Sequence, residues 1–221
     1  MKKIKGLLFD LDGVIVDTAQ YHYLAWKRLA DRLGINFTKE DNERLKGVSR
    51  MRSLEIILEI GGIEIPSKEK ESLCAEKNNF YLEYIYKLRE EELLPGVCKF
   101  LTDARNKGFK ISLGSASKNS RLILERLNIT QLFDAIIDGT KVSRAKPDPE
   151  VFVKGAEALG LSCGECIVFE DAISGIEAAH NAGMLGVGVG VGASWMLPKA
   201  DTHILSFDGL SVEDILYKLG L

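Results

Sequence analysis

The sequence lacks an apolar run long enough to span a bilayer, and it is poor in proline and cysteine. Among its 221 residues are five prolines and four cysteines. Its net charge of −3 is far from the strongly positive balance of nucleic-acid-binding proteins. The basic start is followed by an apolar run that Asp10 and Asp12 cut short, so no signal peptide is predicted. We therefore expect a cytoplasmic protein that binds neither nucleic acid nor a membrane.

The few cysteines give little support for a disulfide framework or a metal site. Cys163 and Cys166 form a lone Cys-x-x-Cys pair, with no second pair and no histidine nearby. Zinc sites and redox motifs usually bring further ligands or a specific strand–helix context. Free thiols are therefore expected, and any role of the Cys163–Cys166 pair stays open.

Short apolar runs alternate with helical patterns in much of the chain, whose composition is ordinary at 46% hydrophobic and 28% charged residues. Strands are predicted at 4–10, 109–114, 135–138, 166–170 and 185–191. Helices are predicted at 97–107, 118–127, 149–159 and 172–182. Such alternation favours a mostly parallel sheet with helices on both faces. The expected fold class is α/β, with a Rossmann-like doubly wound parallel sheet as its core.

The segment between the first strand and about residue 92 is almost wholly helical in pattern. A helix with Trp26 and Leu29 on one face precedes helices near 39–46, 50–60 and 67–88. Gly47 is expected to end the second of them. Four helices do not fit inside a parallel sheet, so they are expected to form an inserted cap that closes like a lid. The predicted domains are a core of 1–16 with 92–221 and a cap of 17–91, and no function is predicted for 193–221.

Two carboxylates follow the first predicted strand. Asp10 and Asp12 lie one residue apart and precede Gly13. Ligands of open α/β sheets bind at the carboxyl ends of the strands. Two carboxylates so close repel each other unless a cation or a shared proton relieves them. The alternative interpretation is a simple Asp-Gly turn.

Further polar residues follow later strands. The segment 115–119 brings hydroxyls, a lysine and a helix start together, which is typical of an anion site, although Ser117 could equally be a plain helix cap. Lys146 lies in a stiff, proline-rich loop and could simply be solvated. Glu170 and Asp171 end another apolar run, where they could bind Mg²⁺, or Asp171 could cap the next helix. An acceptor carboxylate, a phosphate site and a magnesium site together are what phosphoryl transfer requires.

These segments resemble the four motifs of the haloacid dehalogenase superfamily of phosphotransferases, in order and at fitting spacing. The helical insert is similar to the C1 cap of that superfamily. The resemblance implies Asp10 as nucleophile and Asp12 as general acid and base. It implies that Ser115 and Lys146 hold the transferring phosphoryl group. The implied Mg²⁺ ligands are Asp10, the backbone carbonyl of Asp12, and Asp171, supported by Glu170.

Three features of the helical segment bear on the reaction. His22 lies on the packed face of the first helix, and Lys77 lies on the apolar stripe of the last. By spacing alone, Lys77 either extends its ammonium to solvent or serves a site. The loop 45–50 places a glycine, a hydroxyl and Arg50 between two helices. It is either a helix stop with Ser49 as the next cap, or a phosphate-binding loop that uses the arginine fork.

With these features, nearly the full chain resembles the β-hexose-phosphate mutases of the superfamily. The resemblance implies interconversion of β-glucose 1-phosphate and glucose 6-phosphate through an aspartyl-phosphate enzyme, with β-glucose 1,6-bisphosphate as activator and intermediate. The substrate-binding residues that it implies are Thr18, His22, Trp26, Lys46, Gly47, Val48, Ser49, Arg50, Ser53, Lys77, Ser115, Ala116, Ser117, Lys118, Asn119 and Lys146. Of these, His22 with Lys77 would couple cap closure to the orientation of Asp12.

Two alternatives keep the same core. One is a Mg²⁺-dependent sugar-phosphate phosphatase, with water as the acceptor. The other is a phosphonate hydrolase, which needs a cap lysine for a Schiff base, and Lys46 and Lys77 are the candidates. The expected partner is a small-molecule sugar phosphate, and we expect a monomer because the cap must move.

Overall fold

The computed structural model describes residues 3–45 and 48–221. Its strands are β1 (Gly6–Phe9), β2 (Lys110–Gly114), β3 (Ala135–Ile137), β4 (Cys166–Glu170), β5 (Leu185–Val189) and β6 (Thr202–Ile204). These six strands form one sheet in the order β3-β2-β1-β4-β5-β6, and every neighbouring pair is parallel. The strand order reverses between β1 and β4, as in doubly wound sheets, so the predicted fold class is confirmed.

The helices are α1 (Ala19–Arg32), α2 (Lys39–Glu43), α3 (Arg50–Gly61), α4 (Ser67–Ile85), α5 (Val97–Asn106), α6 (Ser120–Arg126), α7 (Glu150–Leu159), α8 (Ile173–Asn181), α9 (Ala193–Met196) and α10 (Val212–Lys218). The chain divides into two compact units, Met1–Asp17 with Arg89–Leu221, and Thr18–Leu88. We call them the sheet unit and the helical unit. Their limits lie close to the predicted domain boundaries. In the described part of the chain, no helix is long and apolar enough to cross a membrane.

The central strands of the sheet unit are buried on both faces. All residues of β1 and β4 are buried, as expected for parallel strands covered by helices on each side. At their carboxyl ends, Phe9 stacks on Phe169 with ring centroids 4.6 Å apart. The rings of Phe100 and Phe207 pack against Phe169 at 5.7 and 5.4 Å. This aromatic cluster holds in place the two strand ends from which Asp10 and Glu170 project.

The helical unit has an apolar core of its own. Trp26 and Leu29 of α1, Leu54 of α3 and Leu73 of α4 are among its buried residues. Helix α2 begins with a capping box between Thr38 and Asp41. The apolar faces predicted from helical spacing therefore pack together within the unit.

Several predicted limits need correction. The second helix ends at Glu43 rather than at residue 46, and Gly47, expected to end it, lies outside the described residues. Helix α6 begins at Ser120 instead of 118, because the preceding segment forms side-chain-stabilised turns. The segment 193–221, for which nothing was predicted, contributes the edge strand β6 and the helices α9 and α10. Edge elements this short carry too little periodicity to be recognised from the sequence.

Candidate active site

The polar residues of the sheet unit meet where the strand order reverses. Asp10 directly follows β1, Ser115 directly follows β2, and Glu170 is the last residue of β4. Since β1 pairs with both β2 and β4, these three residues lie at adjacent strand ends. This crevice is where doubly wound folds bind ligands.

Lys146 joins two of the carboxylates. Its Nζ lies 2.5 Å from Asp10 Oδ1 and 2.7 Å from Glu170 Oε1, and it donates to the Gly114 carbonyl oxygen at 3.1 Å. Side-chain exposure is only 12% for Lys146, 12% for Asp10 and 2% for Glu170. Charges this buried are tolerated only when they are paired and hydrogen-bonded. The interpretation of Lys146 as a solvated loop residue is therefore wrong.

Glu170 and Asp171 take different positions after β4. Glu170 Oε2 accepts a hydrogen bond from the Ala172 backbone N–H at 2.8 Å. The residue at the cap position of α8 is Ala172, and no side chain caps that helix. The interpretation of Asp171 as a helix cap is therefore wrong. A Cβ built on Gly13 would lie 2.0 Å from Asp171 Oδ2, so this carboxylate packs against the turn that follows Asp12.

Negative charge exceeds positive charge in this cluster. Burial raises the pKa of Asp10 well above its usual range, and neighbouring carboxylates add to the rise while Lys146 opposes it. Burial, Glu170 and Asp12 raise the pKa of Asp171 to about 7. Burial would lower the pKa of Lys146, but Asp10 and Glu170 outweigh it and raise that pKa. The ammonium stays charged and pairs with two of the four carboxylates, Asp10 and Glu170.

This donor set fits a hard divalent cation. The surplus carboxylates supply the oxygen ligands that Mg²⁺ prefers, and its charge would relieve their repulsion. Among the described residues, no three or more His, Cys, Asp or Glu side chains form a ready-made metal site. Lys146 pairs with both Asp10 and Glu170. Beside Asp171 is a pocket of about 190 Å³, also lined by Gly13 and Met196.

The segment 115–119 forms two turns that its own hydroxyls stabilise. Ser115 Oγ accepts from the Ser117 backbone N–H at 3.1 Å, and Ser117 Oγ accepts from the Asn119 N–H at 3.3 Å. Ser115 is buried, whereas Ala116 and Lys118 are exposed. The Ser117 hydroxyl shapes the turn, and Asn119, not Ser117, takes the cap position of α6.

A second polar cluster lies inside the helical unit. Lys77 Nζ lies 2.7 Å from His22 Nδ1, and the Lys77 residue is only 2% exposed. Its ammonium also lies 4.7 Å from the centroid of the Trp26 ring, a cation–π distance. Burial, together with the charges of Lys77 and Arg50, lowers the pKa of His22 well below its usual range. The imidazole is therefore neutral and accepts at Nδ1, because an ammonium has only donors.

The spacing of Lys77 was consistent with an ammonium that extends to solvent or one that serves a site. In the structure the ammonium does not extend to solvent. Thr18 and Trp26 are also buried, at 0% and 4% exposure. The substrate contacts expected of these two residues stay a prediction.

The loop before α3 is described only in part. Lys46 and Gly47 lie outside the described residues. Val48 and Ser49 are exposed, Arg50 is half-buried, and Ser53 is buried. Ser49 caps α3 by accepting from the Arg52 backbone N–H at 3.2 Å. The cap interpretation of Ser49 is thus confirmed, and it leaves the Arg50 side chain at the first turn of the helix.

Sequence reasoning missed Tyr81 as a member of the His22–Lys77 cluster. The only available signal was its spacing, four residues after Lys77 on an apolar stripe. That spacing equally fits an ordinary core tyrosine. The Cys163 and Cys166 thiols are free, as expected.

Comparison with known proteins finds one matching family model and similar proteins over most of the chain. A model of the haloacid dehalogenase-like hydrolase family matches residues 4–183. The beta-phosphoglucomutase of Bacillus subtilis is 48% identical over 212 residues, 95% of this chain and 93% of that protein. A phosphorylated carbohydrates phosphatase of Thermotoga maritima is 31% identical over 82% of each chain. The crystal structure of a beta-phosphoglucomutase from Clostridium difficile matches with a TM-score of 0.90 at 42% identity, over 98% of this chain and 97% of that one.

Proposed function

The chain belongs to the haloacid dehalogenase-like hydrolase family, and we propose that it is a mutase interconverting β-glucose 1-phosphate and glucose 6-phosphate. The observation that carries this proposal is the 48% identity to a beta-phosphoglucomutase over 95% of the chain, helical unit included. The phosphatase relative is 31% identical over a smaller share of the chain, so the phosphatase alternative has less support.

The chemistry follows from the charges around Asp10. We assign Asp10 as the acceptor: a carboxylate oxygen attacks phosphorus, and the bond from phosphorus to the leaving oxygen breaks. Lys146 and Ser115 would bind the transferring phosphoryl group. An ammonium and a hydroxyl can both donate hydrogen bonds to phosphoryl oxygens while the charge on those oxygens changes during transfer. Glu170 keeps Lys146 in place through the ion pair of 2.7 Å.

Mutase turnover starts from phosphorylated Asp10. The 6-hydroxyl of β-glucose 1-phosphate attacks phosphorus, and Asp12 takes the proton from that hydroxyl as the bond to Asp10 breaks. The product, β-glucose 1,6-bisphosphate, then returns its other phosphoryl group to Asp10, and Asp12 gives the proton back to the leaving oxygen. Glucose 6-phosphate leaves, and Asp10 is phosphorylated as at the start.

Mg²⁺ fits the same proposal. Asp10, the Asp12 backbone carbonyl and Asp171 would hold it, with Glu170 in support. When bound, the ion supplies positive charge that neutralises phosphoryl oxygens.

For the helical unit we propose that Arg50 binds the phosphate of the sugar substrate, since a guanidinium fork matches phosphate oxygens. We also propose that the protein works as a monomer.

One assay tests the function. The protein is mixed with Mg²⁺, β-glucose 1-phosphate and a trace of β-glucose 1,6-bisphosphate, and glucose 6-phosphate and free phosphate are followed together. The proposal predicts rapid glucose 6-phosphate formation with little free phosphate. Free phosphate without glucose 6-phosphate would instead identify a phosphatase. The Asp10→Asn variant is the control, and it should form neither product.

A further inference from the structure

Tyr81 lies at the centre of the buried polar cluster of the helical unit. The residue is 0% exposed. Its ring stacks on the His22 imidazole, with centroids 4.1 Å apart and the planes 25° from parallel. Lys77 Nζ lies 5.1 Å from the centroid of the same ring. Tyr81 is therefore in contact with both members of the His22–Lys77 pair.

The hydroxyl of Tyr81 reaches a different part of the unit. Its O–H donates to Thr18 Oγ1 at 3.1 Å. Thr18 is the first residue of the helical unit and directly precedes α1, but its side chain does not cap that helix. The hydrogen bond thus links α4 to the point where the chain enters α1.

Core packing alone does not explain a tyrosine at this position. A phenylalanine would fill the same ring space without introducing a polar atom that needs a partner when buried. The phenol adds a directional bond between two fully buried side chains, Tyr81 and Thr18. That bond ties the ring whose face lies against His22 to the residue at the start of α1.

We propose that Tyr81 is a positioning residue for the mutase reaction, one that holds α1 against α4 so that His22 and Lys77 keep their mutual geometry. The inference rests on the proposed function, because that function gives His22 and Lys77 their importance. It also gives Thr18 a new role, as the hydroxyl that anchors Tyr81 rather than as a substrate contact.

The kinetic test compares Tyr81→Phe with Tyr84→Phe. Tyr84 is a matched control because it lies one turn further along α4 and stacks on Tyr21, outside the cluster. Tyr81→Phe keeps the ring and should fold, but it should lower mutase kcat about tenfold, the equivalent of one buried hydrogen bond, with little change in KM. Thr18→Val should have the same effect, and the double variant should lose no more than either single variant. Additive losses, or equal kcat values for Tyr81→Phe and Tyr84→Phe, would overturn the proposal.

A second readout does not depend on activity. The nitrogen NMR shifts of the His22 imidazole report its tautomer and hydrogen bonding in the parent protein and in both variants. We expect a changed His22 signal in Tyr81→Phe and an unchanged one in Tyr84→Phe. If the parent has no mutase activity, the proposed function fails, and this spectrum alone decides whether Tyr81 positions His22. Identical His22 signals in all three proteins would refute the inference.

Discussion

At the scale of single residues, Lys146 determines whether the core site can exist. It is the ammonium that pairs with Asp10 and Glu170, and both carboxylates are almost fully buried. Removing one member of a buried charge network leaves the others without compensation. The same ammonium would face the phosphoryl group once Asp10 accepts it, so Lys146 links stability to chemistry.

Lys146→Met should destabilise the protein and also abolish phosphorylation of Asp10. The expected loss in the free energy of unfolding is roughly 3–5 kcal/mol, because two buried carboxylates lose their counterion. Lys154→Met is the control, since Lys154 pairs with Glu150 but is 40% exposed, and such a pair should be worth less than about 1 kcal/mol. Urea unfolding and labelling with acetyl phosphate measure both effects. Equal losses in the two variants would contradict the role of Lys146.

His22 should make the protein less stable at acidic pH. Its folded pKa lies below that of the unfolded chain, so the unfolded state binds the proton more readily. Stability is therefore lost as pH falls through about 6.5, at up to about 1.4 kcal/mol per pH unit from this group. The His22→Asn variant should lack this pH-dependent loss of stability. Urea unfolding of both proteins from pH 7.5 to 5 checks it, and parallel stability curves would show that His22 titrates normally.

At the scale of secondary-structure elements, the first turns of two helices decide where charged side chains lie. Helix α3 begins at Arg50, and its cap, Ser49, fixes where that arginine emerges. Helix α8 packs its Gly175 against Glu170 so closely that an added Cβ would lie 1.9 Å from the carboxyl carbon. In both cases the local backbone decides where a charged group can be.

Arg50→Ala should reduce mutase turnover about a hundredfold, since a charge-assisted phosphate contact is lost. Phosphorylation of Asp10 by acetyl phosphate should not change, because that donor has no sugar phosphate to bind. Arg52→Ala is the matched control, because Arg52 on the same helix is exposed and pairs with Glu55 and Glu59. Steady-state kinetics and single-turnover labelling give the two rates. If Arg50→Ala and Arg52→Ala behave alike, Arg50 does not bind substrate.

Gly175→Ala should impair phosphoenzyme formation although alanine favours helix by about 1 kcal/mol. The added methyl must displace the Glu170 side chain and with it the ion pair to Lys146. Gly61→Ala, in α3, is the control, because the three atoms nearest to its added Cβ are side-chain carbons of Ile35 and not part of a charged group. Acetyl phosphate labelling of both variants measures the effect. Full labelling of Gly175→Ala would mean that the position of Glu170 is not critical.

The limits of helices and strands were predictable where the apolar pattern is long. They were less predictable where local side-chain hydrogen bonds determine where an element begins. The strand 166–170 was predicted with its observed limits, because four consecutive apolar residues are followed by the acidic Glu170. The start of α6 was misplaced because the Ser115 and Ser117 hydroxyls stabilise turns that a periodicity argument does not detect. The edge strand β6 has only three residues and gives no usable pattern.

At the scale of the whole molecule, the alternation of strands and helices was enough to predict that polar residues following different strands lie near one another. Asp10, Ser115 and Glu170 are far apart in sequence, but the parallel sheet brings their strand ends together, and Lys146 reaches Asp10 and Glu170 from the loop between β3 and α7. The contacts of Tyr81 could not be predicted, since they depend on how α1 and α4 pack side by side. The chain belongs to the family, and the residue roles in both units stay predictions.

The most direct test of the account follows one phosphoryl group. Asp10 is first labelled with radioactive acetyl phosphate, and the label is then followed after addition of β-glucose 1-phosphate or of buffer alone. The account predicts rapid transfer of the label to sugar phosphate, and slow release of free phosphate in buffer. Release as free phosphate at the same rate with and without the sugar would contradict it.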